Sequence, residues 1–178
     1  MADEPLSDSG SDSLTFAYAD PPYVGCSDLY DHPDAARWDD PAEHVELMWA
    51  LDDAVAGWAL SASAPSLGPL LALGVPPGTR VAVWVKPFCA YKRNVRVAYS
   101  WEPVLWHRSA PRRPDEPVGR DHLAASITLR RGLVGAKPEP FAAWLRVLLG
   151  YREGDAIIDL FPGSGAVSDS NARLRLPL

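Results

Sequence analysis

Two short stretches carry residue types whose order suggests chemistry: Asp20-Pro21-Pro22-Tyr23 and Asp159-Leu160-Phe161-Pro162-Gly163-Ser164-Gly165. In the first, proline at both inner positions fixes the main chain, aims the Asp20 carboxylate and presents carbonyl groups with no amide donors among them. Such a corner suits a ligand rich in N–H, with the Tyr23 ring able to stack on a planar group. The plainer alternative is a strand stop with a solvated Asp and a surface Tyr. In the second stretch, Gly163 and Gly165 let the backbone turn sharply and let a ligand approach with no Cβ in the way. A glycine-rich turn after a strand suits a nucleotide-like cofactor, although the same turn also serves as a bare strand-to-helix connection.

Both stretches need strands to position them. Leu14 to Ala19 reads as a buried strand ending in the proline corner, and Ala156 to Leu160 as a second running into the glycine turn. From Pro41 to Ala56, the residues Val45, Leu47, Met48 and Leu51 recur at helical spacing, with Pro41 in the first turn and Gly57 past the end. Trp58 to Ala62 and Val81 to Val85 read as strands around a short helix at Leu67 to Leu73. Tyr99 to Trp106 reads as a further strand in which Pro103 is expected at an edge or bulge. Pro138 to Leu149 is an amphipathic helix capped by Gly150. This alternation predicts an α/β fold with a mostly parallel sheet of about five strands and an antiparallel terminal pair. Ligands then belong at the carboxyl ends of the strands.

The 178 residues are 47% apolar and 22% charged, enough for one domain with a real core. Residues 1 to 13 are acidic, almost free of apolar side chains and expected to be a disordered tail, leaving 14–178 as the domain. Seventeen Lys and Arg against 23 Asp and Glu give a net charge of -6, so no global basic field gathers polyanions and any nucleic-acid contact must be local. Residues 107 to 136 form a locally basic stretch, with Arg108, Arg112, Arg113, Arg120, Arg130 and Arg131 and no sustained period. It reads as a long loop, either a target-reading segment or a solvated one. No apolar run is long enough to enter a membrane, and with Cys26 and Cys89 expected to be reduced the chain reads as cytoplasmic.

The remaining candidates carry less. His32, His44, His107 and His122 lack ligand spacing, so no metal is expected and they read as surface or loop residues. Asp28, Asp31, Asp34, Asp39, Asp40 and Glu43 crowd the segment after the corner, as a flap or a solvated loop. Trp49, Trp58 and Trp144 read as core. Cys89 lies near Lys86 and Lys92 with no histidine partner for a nucleophile role.

Asp-Pro-Pro-Tyr together with Asp-x-Phe-x-Gly-Ser-Gly resembles the motifs of the S-adenosylmethionine-dependent amino methyltransferases of DNA, which methylate the exocyclic nitrogen of adenine or cytosine. The order of the motifs is similar to that of the permuted beta class of the family. Lys137-Pro138 before a helix is similar to its additional cofactor motif. Trp84-Val85-Lys86-Pro87 and Ser100-Trp101-Glu102-Pro103 look like stretches of its phage and prophage members, and the resemblance spans roughly residues 14 to 167.

The resemblance implies a Rossmann-like methyltransferase core that uses S-adenosylmethionine and acts on DNA. Asp20 and the Pro21 carbonyl would accept hydrogen bonds from the target amino group, Pro22 would stiffen the turn, and Tyr23 would stack on the extruded base. Phe161, Gly163, Ser164 and Gly165 would lie along the cofactor, with Asp159, Lys137 and Pro138 near its polar end. Arg112, Arg113, Arg130 and Arg131 would be the nucleic-acid contacts. Asp rather than Ser at the first motif position points to adenine rather than cytosine. The family that methylates RNA adenosine shares the turn and the order but has Trp where this chain has Tyr23. Family members continue past the glycine turn into a helix and two further strands, whereas this sequence runs only to Leu178. The sheet is therefore expected to be incomplete on that side, with an open edge. A partner chain, a second copy, or an inactive remnant that only binds nucleic acid or a partner stay open as alternatives.

Overall fold

The computed structural model describes residues 13–88, 96–127, 136–162 and 167. The expected acidic tail, together with Cys89, Lys92, Arg130, Arg131, Gly163, Ser164 and Gly165, lies outside them, apart from Ser13.

Six strands form one sheet in the order β5-β3-β4-β2-β1-β6, where β1 is Thr15–Ala19, β2 Gly57–Ser61, β3 Arg80–Val85, β4 Trp101–Arg108, β5 His122–Ala124 and β6 Ala156–Asp159. β1 is parallel to β2 and β6, and β3 is parallel to β5. The α/β class and mostly parallel sheet expected from the sequence are present. The reversed strand is β4, antiparallel to both β2 and β3, so it lies inside the sheet rather than at its end.

Pro103 is consequently in a central strand, contrary to the expectation of an edge or bulge. It is tolerated because Val83, directly opposite, sends its N–H away to the Asp121 carbonyl at 2.9 Å. On the other side Pro103 faces the very end of β2, where the Ala62 N–H bonds the Pro103 carbonyl at 3.0 Å. The missing donor thus falls where the ladder already stops.

β1 is buried on both faces, and its alternation assigns each face a layer. Phe16 and Tyr18 join Trp84, Val104, Ile157 and the helix α3 (Glu139–Leu149) in one cluster. Ala17 and Ala19 face the other way, and their small side chains leave room for Trp58 of β2 and for Leu47, Met48 and Leu51 of the helix α1 (Pro41–Ala54). In α3, Phe141, Leu145 and Leu149 are fully buried, each contributing about 1.5–3 kcal/mol by removal from water. Asp40 caps α1 by accepting the Ala42 N–H, and Gly150 closes α3 with a φ of 67°.

The stretch 107–136, expected to be a loop throughout, contains the end of β4 and all of β5. Within it Arg108 and Arg113 are drawn inward onto two buried acids. Arg113 makes paired bonds to Asp155 at 2.9 and 2.6 Å and donates to the Gly150 carbonyl at 2.8 Å, while Arg108 pairs with Glu116. Asp155 also accepts the Leu14 and Arg152 N–H groups, so one carboxylate fastens the start of β1, the start of β6 and the basic segment. Charge-assisted bonds from Arg108 and Arg113 hold Glu116 at about 2, and Arg113 with the two amides holds Asp155 at about 2, against the opposing pull of burial.

Depressed carboxyls contribute stability that is complete above their unfolded pKa values and is lost as pH falls toward the folded ones. Urea midpoints measured from pH 7 to pH 2 should therefore drop steeply between about pH 5 and 2, by on the order of 2 kcal/mol for each acid. Asp155→Asn should flatten its share of that drop, and a parallel decline in wild type and variant would refute the assignment.

Candidate active site

The carboxyl ends of β1 and β6 are adjacent, with Tyr18 opposite Asp159 in register and the Leu160 N–H bonded to the Tyr18 carbonyl at 2.9 Å. Asp20 and Phe161 therefore leave the sheet side by side although far apart in sequence. The start of β4 and the segment entering α3 reach the same rim and deliver Glu102 and Lys137.

Lys137 occupies the centre of this rim, its side chain only 5% exposed. Its Nζ donates to Asp20 Oδ1 at 2.9 Å and to the Tyr23 hydroxyl at 3.0 Å, and lies 3.5 Å from Glu102 Oε2. The ammonium also lies 5.6 Å from the ring centroids of Tyr23 and Trp84 and 5.7 Å from that of Phe141. Carboxylates and aromatic faces together replace the water that burial removes. Burial alone would lower the Lys137 pKa, but Asp20 and Glu102 more than reverse this and hold it above the ordinary value, so the side chain is charged.

The two acids respond differently. Burial lifts Asp20 above the ordinary carboxyl value, and Lys137 only partly offsets the rise. Burial acts upward on Glu102 too, yet it faces both Lys137 and Lys86, which together carry it below its usual value. Burial and the nearby negative charges keep Tyr23 neutral, so its hydroxyl is a donor. That proton has the Glu102 Oε2 at 3.0 Å and the Asp20 Oδ1 at 3.3 Å. Among the described residues nothing hydrogen-bonds Asp20 Oδ2 or the carbonyls of Pro21 and Pro22. The corner therefore presents acceptors with no partner of their own, on a side chain 23% exposed.

Asp159 lies one strand away. Burial pushes its carboxyl up to about 6, partly opposed by the Phe161 N–H at 3.1 Å. No cation contacts it within ion-pair distance among the described residues, so this is a carboxylate short of a positive partner.

Of the residues singled out from sequence, Asp20, Pro21, Pro22, Tyr23, Lys137, Pro138, Asp159 and Phe161 converge on this rim. Arg112 and Arg113 do not. They follow the far end of β4, where Arg108 pairs with Gly57 at the start of β2, about 20 Å from Glu102 at the usual rise per residue. Arg112 is exposed there and lines a cleft of about 490 Å³ with Arg80, Trp106 and Val118. Arg113 is committed to Asp155 and Glu116, which removes the free guanidinium a phosphate contact needs.

Other expectations also change. The acidic segment after the corner keeps Asp28, Asp31, Asp34, Asp39 and Asp40 exposed, as a solvated loop would, yet it is tied down locally: Asp39 accepts from the Gly25 and Ser27 amides and the Ser27 hydroxyl, and Trp38 is buried. The Trp38 ring packs edge-on against Phe161 at 5.1 Å, and the Trp38 carbonyl accepts from Nε2 of His44, which is a buried helix residue rather than a surface one. His107, likewise not a loop residue, lies on β4 with Nδ1 2.6 Å from Asp52. Trp49, expected in the core, is 43% exposed and donates to the Gly74 carbonyl. Glu102, Lys86 and Trp38 were not recognised as site residues. Only the Trp84–Pro87 and Ser100–Pro103 stretches hinted at the first two, and these pair across β3 and β4 through the Lys86 N–H and Ser100 carbonyl.

No family model matches the chain, and no curated protein matches it. Among solved structures it resembles the complex of M1.HpyAVI with SAM at a TM-score of 0.54 and 16% identity, covering 88% of this chain and 76% of that one. It also resembles a crystal structure of M1.HpyAVI at a TM-score of 0.50 and 15% identity, covering 87% of this chain and 74% of that one. The chain has a methyltransferase-like fold.

Lys137→Met removes the cation between Asp20 and Glu102, so both carboxyls titrate upward. A carboxyl raised above its unfolded value contributes stability present at low pH and lost as pH rises through the folded value. The variant should lose about 3 kcal/mol at pH 8, with the deficit narrowing toward pH 5 in denaturant titrations. An equal deficit at every pH would contradict the charge assignment.

Proposed function

We propose that the chain transfers a methyl group from S-adenosylmethionine to the exocyclic amino group of adenine in DNA. The observation that carries this reading is the Asp20 corner: a carboxylate oxygen and the Pro21 carbonyl, both without partners among the described residues, at the carboxyl rim beside Asp159 and Phe161. An amino group donating to both is held with its lone pair directed away from the ring. The likeness to the complex of M1.HpyAVI with SAM supports the choice of cofactor, and Asp at the first motif position supports adenine.

Bound S-adenosylmethionine would supply a methyl group activated on a sulfonium. The residues present fit it: Asp159 is a carboxylate without a cation among the described residues and can take an ammonium or hydroxyl groups, and Phe161, braced by Trp38, offers an apolar wall. The work of the chain is positioning and polar stabilisation. Asp20 and Pro21 orient the nitrogen, Tyr23 offers a ring held at its hydroxyl, and the surrounding acids stabilise positive charge as it develops. The proton released from the amino group passes to solvent on the exposed side of Asp20.

Calorimetry with S-adenosylmethionine should show binding at millimolar cofactor or better, about 4 kcal/mol. Tritium transfer should label adenine-containing DNA oligomers rather than RNA or DNA whose only amino base is cytosine. Label in RNA or cytosine moves the substrate, and binding without transfer leaves a binding module. Asp20→Ala should abolish transfer with cofactor affinity kept. Cofactor affinity should weaken as pH falls below about 6, where Asp159 takes up a proton, and Asp159→Asn should remove that dependence. A pH-independent affinity in the wild type would take Asp159 out of the cofactor site.

A further inference from the structure

The methyl-transfer reading uses Asp20, Pro21 and Tyr23 but leaves Glu102 without a task. Yet Glu102 is half-buried at the head of β4, opposite Trp84 on the neighbouring strand and beside the Tyr23 hydroxyl, the Lys137 ammonium and Lys86. Three donors on one carboxylate are more than a strand terminus needs. Without Glu102, the Tyr23 hydroxyl and the whole Lys137 charge would both turn to Asp20, the one other carboxylate that contacts them among the described residues. Asp20 would then meet an incoming amino group with its acceptors already occupied.

We propose that Glu102 is a positioning residue of the transfer site: it accepts the hydrogen bond of the Tyr23 hydroxyl and shares the Lys137 ammonium, keeping an Asp20 oxygen free for the target amino group. The inference rests on the methyl-transfer reading for its consequence, but not for its electrostatics. Lys86 sets its strength, because an ammonium on Glu102 Oε1 limits how far Glu102 can draw Lys137 away. When a target amino group bonds the free oxygen of Asp20, Lys137 keeps Asp20 Oδ1 at 2.9 Å and Glu102 at 3.5 Å as counter-ions, so substrate entry strands no buried charge.

The groups facing Asp20 are Tyr23 beside it, Tyr18 and Asp159 from β1 and β6, Glu102 from β4, Lys137 ahead of α3, and Tyr30 from the following turn. Of these, Glu102 is an anion whose charge opposes ionisation of Asp20, and Lys137 is the cation that favours it.

The test is an NMR titration of the Asp20 carboxyl carbon in the cofactor-free chain, with Glu102→Gln and Lys86→Gln. Glu102→Gln should move the Asp20 titration down by about one pH unit, and Lys86→Gln should move it up. In tritium-transfer assays Glu102→Gln should lower kcat about tenfold and shift the acid limb to lower pH, with cofactor affinity within about twofold of wild type. If Glu102→Gln does not fold, the upward shift in Lys86→Gln carries the test. An Asp20 titration unmoved in both variants overturns the inference, as does a lower kcat with an unshifted acid limb, which marks a merely structural role. A wild-type chain that transfers no methyl group sinks the function instead, while the titration still judges Glu102.

Discussion

A single buried ammonium organises this molecule. Lys137 is nine-tenths or more hidden from water, and a charge in that position survives only where other groups replace the lost hydration. Asp20, Glu102 and the Tyr23 hydroxyl do so, with three aromatic faces behind them. These groups come from the ends of β1, β3 and β4 and from the entry to α3, so the charge can be satisfied only when the strands are in register and α3 is docked. The burial of α3 by Phe141, Leu145 and Leu149 supplies the free energy for docking, and the ion cluster decides the alignment. Phe141 serves both, packing on Tyr18 and Trp84 while forming one wall of the lysine cage.

The sheet explains why the rim is shared. β1 and β6 run parallel and in register, so the proline corner and the turn after Asp159 emerge together without any direct bond between their side chains. The second charged cluster, Arg108 and Arg113 with Glu116 and Asp155, sits at the opposite end and fastens the starts of the same two strands. One rim is locked by ion pairs that satisfy Glu116 and Asp155. Among the described residues the other has acceptors without partners at Asp20 and the prolines and an Asp159 without a cation, which is how a site differs from a brace.

Legibility in the sequence followed the range of the interactions. Proline corners, helix periodicity and a run such as Ala156 to Asp159 are local signals, and α1, the short helix α2 (Leu67–Leu73), α3, β1, β2, β3, β4 and β6 lie within two residues of their expected bounds. Asp20, Tyr23, Lys137 and Asp159 were visible because short motifs carry them. Glu102 was not, because its importance comes from Lys137 and Tyr23, 35 and 79 residues away along the chain. Arg113 reads as a free basic residue until Asp155 is seen beside it. Pro103 reads as an edge residue until the direction of the Val83 N–H is known. Trp49 matches a buried helical pattern, yet α1 presents its other face to the core.

The measurement that goes most directly to the centre of this account is a double-mutant cycle between Asp20→Asn and Lys137→Met, read in unfolding free energy at pH 7. An ammonium held 2.9 Å from the carboxylate in a buried site predicts a coupling of about 2 kcal/mol or more. Additive effects, with a coupling indistinguishable from zero, would mean that the two residues do not meet and that the rim described here is not the one the chain builds.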